Sequence, residues 1–465
     1  MYRGFLICHK ALLADKDILN TLYPEESYII RQANDYFVIS SGSSGSVSPA
    51  DFFQVPFDSN TKIYVYGYIT HPFEIDFRNA NKMELITSHF SHNRNMHYFT
   101  NKSQDLNGSF TIIRISSNGE IVIFTDRLGT RPVYYSRLNG HWVVSSTGGL
   151  LLPLKKIYSK VSPNFIAFTS LLLRSRPLDR LTLIEDIYRT DAGEVIILSP
   201  NLSEKRNKWY KPKNISRNTK MSFEEKLEEL ETSLNKSAER LSSITCKPLL
   251  FLSGGMDSRL AAVIFKDKIK DLEALTLCDT INNEARIARR VASELGLKHK
   301  FYLRDKYYYL KNLEKLVTSC LGSYFYIHGH FSMALQENPC YEDIYLGDFL
   351  ESVKKLIGFR TDVNKIVRCP EDIVTNIFLI DDYSSRLKWE TLNVFNGEHR
   401  DRLRREYFEI VLQEAEEAFE VADEVALVVD YFLRWRRAYE ISTFGMFEDI
   451  RLLKAVKVIK KKLKR

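Results

Sequence analysis

The chain has 465 residues, of which 44% are hydrophobic, and a formal net charge of +7. This length exceeds what one ordinary core accommodates, so two domains are expected. The apolar runs are shorter than a membrane-spanning helix, residues 1–10 are too short and too polar for a secretory signal, and the six cysteines form no Cys-x-x-Cys pair. The sequence therefore disfavours a membrane protein, a disulfide scaffold and a zinc module, and predicts a cytoplasmic protein.

Short β-type runs dominate the first part of the chain. Residues 62–69, 110–115 and 121–125 are rich in Ile, Val, Tyr and Phe, and glycine-containing turns separate such runs. Runs of this length and composition, bounded by turn residues, are typical of antiparallel strands. We therefore expect an antiparallel, sheet-based domain over residues 1–210.

A polar segment at 211–221 interrupts this pattern and contains a proline. Ser222 follows, and then residues 223–241 form an amphipathic helical pattern with acidic residues in its first turn. We place the domain boundary in this linker, so that a second domain spans residues 222–465.

The second domain begins with an apolar run, a small polar loop and a helical pattern. Residues 249–252 predict a buried strand, and residues 259–268 predict a helix. Between them, the loop 253–258 reads Ser-Gly-Gly-Met-Asp-Ser. Glycines let backbone approach an anion, the helix start offers N–H groups, the serines add hydroxyl donors, and Asp257 can take a magnesium ion.

No lysine follows the two glycines of this loop, so it is not the loop that grips a transferred γ-phosphate. The loop instead favours a different cleavage of ATP. An ordinary Gly-Ser turn between strand and helix is the alternative. Residues 272–278 predict a second parallel strand and 283–295 another helix, and this alternation predicts a doubly wound sheet.

The loop resembles the Ser-Gly-Gly-x-Asp-Ser loop of the asparagine synthetase family, whose relatives include β-lactam synthetases, lasso-peptide cyclases and amide-forming enzymes of glycan clusters. In that family the loop binds the pyrophosphate portion of ATP. The resemblance assigns this role to Ser253, Gly254, Gly255, Asp257 and Ser258. It also implies that Leu275 and Leu277, in the second strand, line the adenine pocket.

The N-terminal half resembles the glutaminase domain of the same family in its segments 106–110 and 125–135. The two resemblances together imply an α/β plus α+β protein. An Ntn-hydrolase-like αββα sandwich would be followed by a doubly wound, parallel-sheet ATP-pyrophosphatase domain of the adenine nucleotide α-hydrolase type.

This half also departs from the family pattern. A family glutaminase carries a nucleophilic thiol directly after the initiator Met, and this chain has Tyr2, with an ordinary pKa of about 10. Tyr66 stands where the family usually has an asparagine whose amide stabilises an oxyanion. Cys8 would need proteolysis after Ile7 to serve as the nucleophile. The sequence therefore predicts a degenerate glutaminase domain.

Residues 344–352 resemble the family's acidic segment, with changes. By position, Glu351 matches the carboxylate that joins Asp257 in holding Mg2+, and Asp348 matches a carboxylate that orients or deprotonates the attacking amine. Magnesium prefers oxygen ligands of this kind. The alternative is that both carboxylates cap a helix start.

These resemblances imply an ATP-dependent, AMP-forming amide ligase of the asparagine synthase type, using ATP and Mg2+ without glutamine hydrolysis. The resemblance implies aspartate as the carboxylate substrate, with an amine or ammonia as the nitrogen donor. Two alternatives stay open: a tailoring ligase or cyclase acting on a sugar acid or peptide, and a non-catalytic nucleotide-binding homologue. The segment after residue 454 is shorter than the corresponding segment of asparagine synthetases, which is compatible with either alternative.

The partners expected are small molecules, and nothing in the sequence supports nucleic-acid binding. Residues 454–465 form a basic, amphipathic tail. Such a tail is compatible with weak contact to an anionic membrane surface, and a solvated terminal helix is the simpler interpretation. A homodimer is also left open.

Overall fold

The structure is a computed structural model. It describes residues 4–13, 16–22, 28–41, 52–55, 60–71, 107–174, 177–210, 222–242, 245, 247–323, 331–338, 340–341, 343–347, 368–372 and 397–421. Tyr2, the linker 211–221, Asp348, Glu351 and the basic tail 454–465 lie outside the described residues. The predictions made for them therefore stay predictions.

Two six-stranded antiparallel sheets build the first part of the chain, as the sequence predicts. The first has the strand order β10-β8-β9-β1-β3-β2 and the second the order β12-β11-β7-β6-β5-β4. The strands are β1 Phe5–His9, β2 Tyr28–Ala33, β3 Tyr36–Ser41, β4 Phe52–Val55, β5 Lys62–His71, β6 Asn107–Ile115, β7 Ile121–Thr125, β8 Tyr134–Leu138, β9 His141–Ser145, β10 Ile187–Arg189, β11 Glu194–Leu198 and β12 Glu204–Lys208.

Side-chain alternation along these strands packs the two sheets face to face. Phe5 and Ile7 of β1 share one buried cluster with Tyr64 and Ile113 of the second sheet. Cys8 points to the opposite face, against helices. This helical layer consists of the 3-10 helix Lys10–Leu13 and the helices α1 Lys16–Leu22 and α2 Gly148–Tyr158. A helical layer over the outer face of the second sheet stays a prediction.

Asp126 is a buried carboxylate that fixes the turn after β7. It accepts hydrogen bonds from the backbone N–H groups of Phe110, Leu128 and Thr130, and from the Thr130 hydroxyl at 2.6 Å. Burial raises the pKa of Asp126, and these donors oppose the rise. The Asp-Arg-x-Gly segment therefore has a structural role, since it joins β6 to the turn after β7.

A four-stranded parallel sheet with the order β15-β14-β13-β16 follows later in the chain. Its strands are β13 Pro248–Phe251, β14 Glu273–Cys278, β15 Lys298–Leu303 and β16 Asp343–Tyr345. The remaining helices are α3 Phe165–Arg174, α4 Phe223–Ser242, α5 Met256–Lys266, α6 Asn283–Glu294, α7 Tyr308–Cys320, α8 Ser332–Glu337 and α9 Gly397–Val421, with a short helical turn at Pro370–Asp372.

Helices cover both faces of the parallel sheet, so the sheet is doubly wound. On one face, the small side chains Ala261 of α5 and Ala288 of α6 are fully buried beside Leu250. On the other face, Ala334 of α8 packs with Phe251 and its neighbours. The alternation of residues along β13 divides the two clusters, because successive strand side chains point to opposite faces.

The prediction that α5 begins at Arg259 is wrong, because the helix begins at Met256. Gly255 has extended backbone (φ −69°, ψ 151°) and is the N-cap, so the turn closes sooner than the apolar spacing indicates. Asp257 and Ser258 consequently lie in the first helical turn. A carboxylate is favoured there by the helix dipole, which is a signal that periodicity alone does not carry.

The end of α7 joins the parallel part to the antiparallel part. Leu321 adopts the left-handed conformation (φ 47°) and is buried among the apolar side chains of the first sheet and its helices. The Leu183 N–H donates to the Leu321 carbonyl at 2.9 Å, and the Thr147 hydroxyl donates to the Ser319 carbonyl at 3.0 Å. None of the helices formed by the described residues combines the length and apolar character of a bilayer crossing.

Candidate functional site

The loop 253–258 leaves the carboxyl end of β13, which is the strand where the order of strand addition in the parallel sheet reverses. From β13, the connections through α5 and α6 lead outward to β14 and β15, whereas β16 pairs on the opposite side of β13. In doubly wound sheets, ligands bind in the crevice outside the carboxyl ends of the strands at such a reversal. The loop singled out from the sequence therefore lies where this fold binds ligands.

Hydrogen bonds between the two serines hold the loop closed. The Ser253 N–H donates to Ser258 Oγ at 3.0 Å, and the two hydroxyl oxygens lie 2.9 Å apart. Ser258 Oγ also lies 3.1 Å from the Ser253 carbonyl oxygen and 3.2 Å from that of Gly255. Ser258 is only 5% exposed, so its hydroxyl stabilises the loop, whereas Ser253 is exposed and faces outward.

The start of α5 differs from the start of its neighbour α6. At α6, the Asn282 side chain accepts a hydrogen bond from the Ala285 N–H at 2.9 Å and so caps the helix. At α5, the cap is Gly255, and no side chain of the described ranges caps that end. The first turn of α5 thus offers backbone N–H groups and the positive end of the helix dipole to a ligand.

Gly254 allows the loop to pass against α6. A Cβ at this position would lie 2.7 Å from Glu284 Cα and 2.9 Å from the Glu284 carbonyl oxygen, so no larger residue fits without movement of backbone. At Gly255, a Cβ would meet only Ser253 Oγ, at 3.1 Å. Gly254 is therefore required by packing, whereas Gly255 leaves the loop surface open toward solvent.

Gly347 brings the segment after β16 onto the first turn of α5. A Cβ there would lie 2.5 Å from the Ser258 backbone nitrogen and 2.8 Å from the Asp257 carbonyl carbon. Only glycine permits this approach. Asp348 follows directly in the sequence and, like Glu351, lies outside the described residues.

Sequence reasoning assigned no role to three residues around the loop. The Arg259 Nε donates to the Gly255 carbonyl oxygen at 3.3 Å, which puts a positive charge beside the loop that lacks a lysine. The sequence feature that could have identified Arg259 is its position directly after Ser258. Glu284 and Gly347 contact the loop through tertiary packing, and no local pattern marks the contact of Glu284.

The loop fits a phosphate group. The exposed Ser253 hydroxyl and the N–H groups at the uncapped start of α5 are hydrogen-bond donors, and the glycines leave open space for an anion. Asp257 fits Mg2+ by its oxygen type. The described residues contain no group of three or more His, Cys, Asp or Glu side chains that could hold a metal ion. A magnesium site here would therefore use phosphate oxygens and residues such as Glu351 besides Asp257.

The two leucines predicted to line the adenine pocket lie on the same face of β14. Leu275 is 3% exposed and packs with Phe251 and Ala334 in the core. Leu277, nearer the carboxyl end of the strand, is half-buried against the same cluster. Of the two, Leu277 has the accessible surface that contact with a ligand needs.

The N-terminal half offers no activated thiol at Cys8. This residue lies in the middle of β1, paired with Phe37 and Val143, and is fully buried. Burial raises the pKa of the Cys8 thiol to about 12. A buried thiol with a raised pKa is inert as a nucleophile.

Aromatic rings occupy the surroundings of Tyr66 in β5. Its ring meets Phe5 edge-on with centroids 5.4 Å apart, and the Arg131 guanidinium lies 5.6 Å from the Tyr66 ring centroid. Phe5 in turn stacks on Phe52 at 4.0 Å. The position of Tyr66, which the sequence resemblance matches to an amide side chain, therefore carries packed aromatic surface here.

No family model matches the chain, and no curated protein matches it. Among solved structures, it is similar to glutamine phosphoribosylpyrophosphate amidotransferase from B. subtilis complexed with ADP and GMP, at 10% identity over 64% of this chain and 90% of that one, with a TM-score of 0.32. A structure of the allosteric regulatory enzyme of purine biosynthesis matches at 11% identity over 64% and 74%, with a TM-score of 0.28.

The NH3-dependent NAD synthetase from Campylobacter jejuni, in complex with nitrate, matches at 16% identity over 40% of this chain and 93% of that one, with a TM-score of 0.21. At such scores these likenesses fix neither the family nor the activity of this chain. Its fold and its candidate site rest on its own strands and residues.

Proposed function

We propose that this chain is an ATP-dependent, AMP-forming carbon–nitrogen ligase of the asparagine synthase type. Its N-terminal half would be a degenerate, Ntn-hydrolase-like αββα domain over residues 1–210, and residues 222–465 would form the ATP-pyrophosphatase domain of the adenine nucleotide α-hydrolase type. In the first step a carboxylate oxygen attacks the α-phosphorus of ATP, and pyrophosphate leaves. An amine then attacks the acyl-adenylate carbonyl, and AMP leaves as the amide forms.

One observation carries this proposal: the close approach of Gly347 to the first turn of α5. This approach puts the chain that leads into Asp348 within contact distance of the backbone of Asp257 and Ser258. At a strand-order reversal, a phosphate-type loop that contacts the residue before an acidic sequence favours chemistry on a nucleotide phosphate. A plain Gly-Ser turn would not need a glycine on the opposing loop.

The chain's own groups would act in separate ways. The N–H groups at the start of α5 and the exposed Ser253 hydroxyl would donate hydrogen bonds to the leaving pyrophosphate, whose charge grows in the transition state. The guanidinium of Arg259 would add positive charge at the same place. Asp348 would accept a proton from the amine or orient it.

Asp257 and Glu351 would hold Mg2+, which supplies charge neutralisation for the phosphate oxygens when it is bound. Ser258 would keep the loop closed through its hydroxyl, and Leu277 would pack against the adenine. The oxygen type of Asp257 and the hydrogen bonds of Ser258 support the first roles, and the resemblance to the family is what implies the roles of Glu351 and Leu277.

Aspartate is the proposed carboxylate, and free ammonia or another amine is the proposed nitrogen donor. The burial of Cys8 and the aromatic packing of Tyr66 support ammonia over glutamine, because a glutaminase needs an activated nucleophile and an oxyanion donor. A cytoplasmic location agrees with small-molecule substrates of this kind.

The experiment that tests this function is ATP–pyrophosphate exchange with purified full-length chain, magnesium and candidate carboxylates. We expect exchange that depends on aspartate, and a loss of at least about 100-fold in Asp257→Asn, because a removed metal or phosphate contact acts in the transition state. Asp271→Asn, a change in a carboxylate before β14 and away from the loop, is the matched control. If folded protein gives no exchange with aspartate, sugar acids or peptides but binds ATP, the chain is a nucleotide-binding homologue and the proposal fails.

A further inference from the structure

A buried hydrogen-bonded pair lies directly behind the candidate loop. The Thr276 side chain of β14 is 4% exposed, and its hydroxyl lies 2.7 Å from the Leu252 carbonyl oxygen and 2.7 Å from His299 Nε2 of β15. Leu252 is the last residue before Ser253. Three neighbouring chain segments are therefore joined through one hydroxyl at the point where the loop begins.

The protons of this pair can be assigned by counting. A threonine hydroxyl has one proton, and the Leu252 carbonyl can only accept, so Thr276 donates its proton to Leu252. His299 must then donate its Nε2 proton to Thr276, which leaves Nδ1 as the site that titrates. Burial lowers the pKa of His299, and the Arg289 guanidinium of α6 lowers it further, so the ring is neutral near neutral pH.

The regular strand pairing of β13 with β14 ends just before this point. The last register partners are Phe251 and Leu275, and the Leu252 N–H donates to the Leu275 carbonyl at 2.9 Å. With its N–H bound to that carbonyl and its own carbonyl bound to Thr276, Leu252 has both backbone groups fixed. The direction in which the chain enters the loop is set at this residue.

Loop closure depends on that direction. Ser253 bonds to Ser258 through its N–H and its hydroxyl, so a rotation of the Leu252 carbonyl would turn the Ser253 peptide plane and misalign both contacts. Neither Thr276 nor His299 needs to touch a ligand to influence it. Their action would be transmitted through Leu252.

We propose that Thr276 and His299 are positioning residues that hold the Leu252 carbonyl, and with it the loop 253–258, in the geometry that accepts a pyrophosphate group. This inference rests on the proposed function for its ligand. The hydrogen-bond chain from His299 through Thr276 to Leu252 is itself independent of that function.

Two pairs of variants separate the hydrogen bonds from packing. Thr276→Val keeps the shape and removes the hydroxyl, whereas Thr276→Ser keeps the hydroxyl. His299→Leu removes the donor, whereas the amide of Gln in His299→Gln can place an N–H near the position of Nε2. His299 is half-buried, so its variants are expected to fold even where a change at the buried Thr276 is more disruptive.

Two measurements are made on the full chain: amide hydrogen exchange of the peptide spanning 252–258 without ligand, and calorimetric affinity for magnesium pyrophosphate. We expect Thr276→Val and His299→Leu to speed loop exchange and to weaken pyrophosphate binding, each about tenfold, the factor for one hydrogen bond of ordinary net strength. Thr276→Ser and His299→Gln should stay within about twofold of the unaltered chain in both measurements.

Unchanged loop exchange in both Thr276→Val and His299→Leu would overturn the inference. So would equal defects in His299→Gln and His299→Leu, because the effect would then come from ring packing. If the unaltered chain binds neither pyrophosphate nor ATP, the proposed function fails, and the exchange experiment still decides whether the pair positions the loop.

Discussion

Among glycine-to-alanine changes at the described residues near the loop, Gly347→Ala should damage the candidate site most. The new Cβ would lie 2.5 Å from the Ser258 nitrogen, 2.7 Å from Ser258 Cα and 2.8 Å from the Asp257 carbonyl carbon. All three are backbone atoms, so no flexible side chain can yield. The two segments must separate by up to about 1 Å before these contacts become ordinary.

The magnitude follows from this separation. Overpacking of this kind lowers the free energy of unfolding by about 1–3 kcal/mol. A displacement of about 1 Å between reacting groups lowers the catalysed rate by about 100-fold, which corresponds to about 2.7 kcal/mol and is comparable with the upper end of the effect on stability. Gly347→Ala should therefore remain folded at room temperature and lose most of its ATP–pyrophosphate exchange.

The assay combines urea denaturation with pyrophosphate exchange, and Gly397→Ala is the matched control. At Gly397 a Cβ would meet nothing within 4 Å, and the residue begins α9. This control should keep its activity and change stability by less than about 1 kcal/mol. If Gly347→Ala matches the control in both activity and stability, the close approach of Gly347 to α5 is not required for activity, and the proposed role of this contact is wrong.

Three further predictions concern other described residues. Gly254→Ala should weaken ATP binding, measured by calorimetry, by about tenfold or more, because its Cβ would lie 2.7 Å from Glu284 Cα. Gly255→Ala, whose Cβ would meet only Ser253 Oγ, should bind ATP within about twofold of the unaltered chain. Cys8 should resist alkylation in the native chain, because burial raises its pKa to about 12. Cys8→Ser should cost about 1–3 kcal/mol of stability without changing ammonia-dependent activity, and a glutamine-dependent activity that a folded Cys8→Ser loses would restore the glutaminase interpretation. The pKa of His299 is lowered from its ordinary value of 6.5, so the unfolded chain binds the proton more tightly, and the free energy of unfolding should fall as the pH drops below 6.5. A urea series from pH 7.5 to 5 should show a smaller fall in His299→Gln than in the unaltered chain. An equal fall in both proteins would contradict the lowered pKa of His299.

The elements that the sequence predicts correctly are those with strong local signals. The strand at 121–125 has the bounds of β7, because an unbroken β-branched and aromatic run ends in turn residues on both sides. The helix predicted at 223–241 is α4 to within one residue, because Ser222 and Glu225 form a capping box, in which each side chain accepts a hydrogen bond from the other residue's backbone N–H.

The site was predictable only in its loop. Ser253 to Ser258 stand together in the sequence, so their composition alone indicates phosphate binding. Gly347 and Glu284 reach the loop from other segments, and the Thr276–His299 pair depends on strand register. Contacts of this kind come from how strands and helices pack, and a pattern within one segment does not encode them.

The internal role of Ser258 was also beyond the sequence. Both loop serines read as hydroxyl donors for a ligand, yet only Ser253 is exposed. The helix begins at Met256 rather than at Arg259, so Ser258 turns inward and bonds to the carbonyls of Ser253 and Gly255. The earlier start of the helix and the inward orientation of Ser258 have the same cause.

The measurement that tests the central claim most directly is the fate of the carboxylate oxygen. Full-length chain is incubated with ATP, magnesium, ammonium and aspartate that carries heavy oxygen in its side-chain carboxylate, and the AMP is analysed by mass spectrometry. An acyl-adenylate transfers one carboxylate oxygen to AMP, so we expect AMP that carries one heavy oxygen, together with pyrophosphate. Unlabelled AMP, or ADP and phosphate in place of AMP and pyrophosphate, would contradict it.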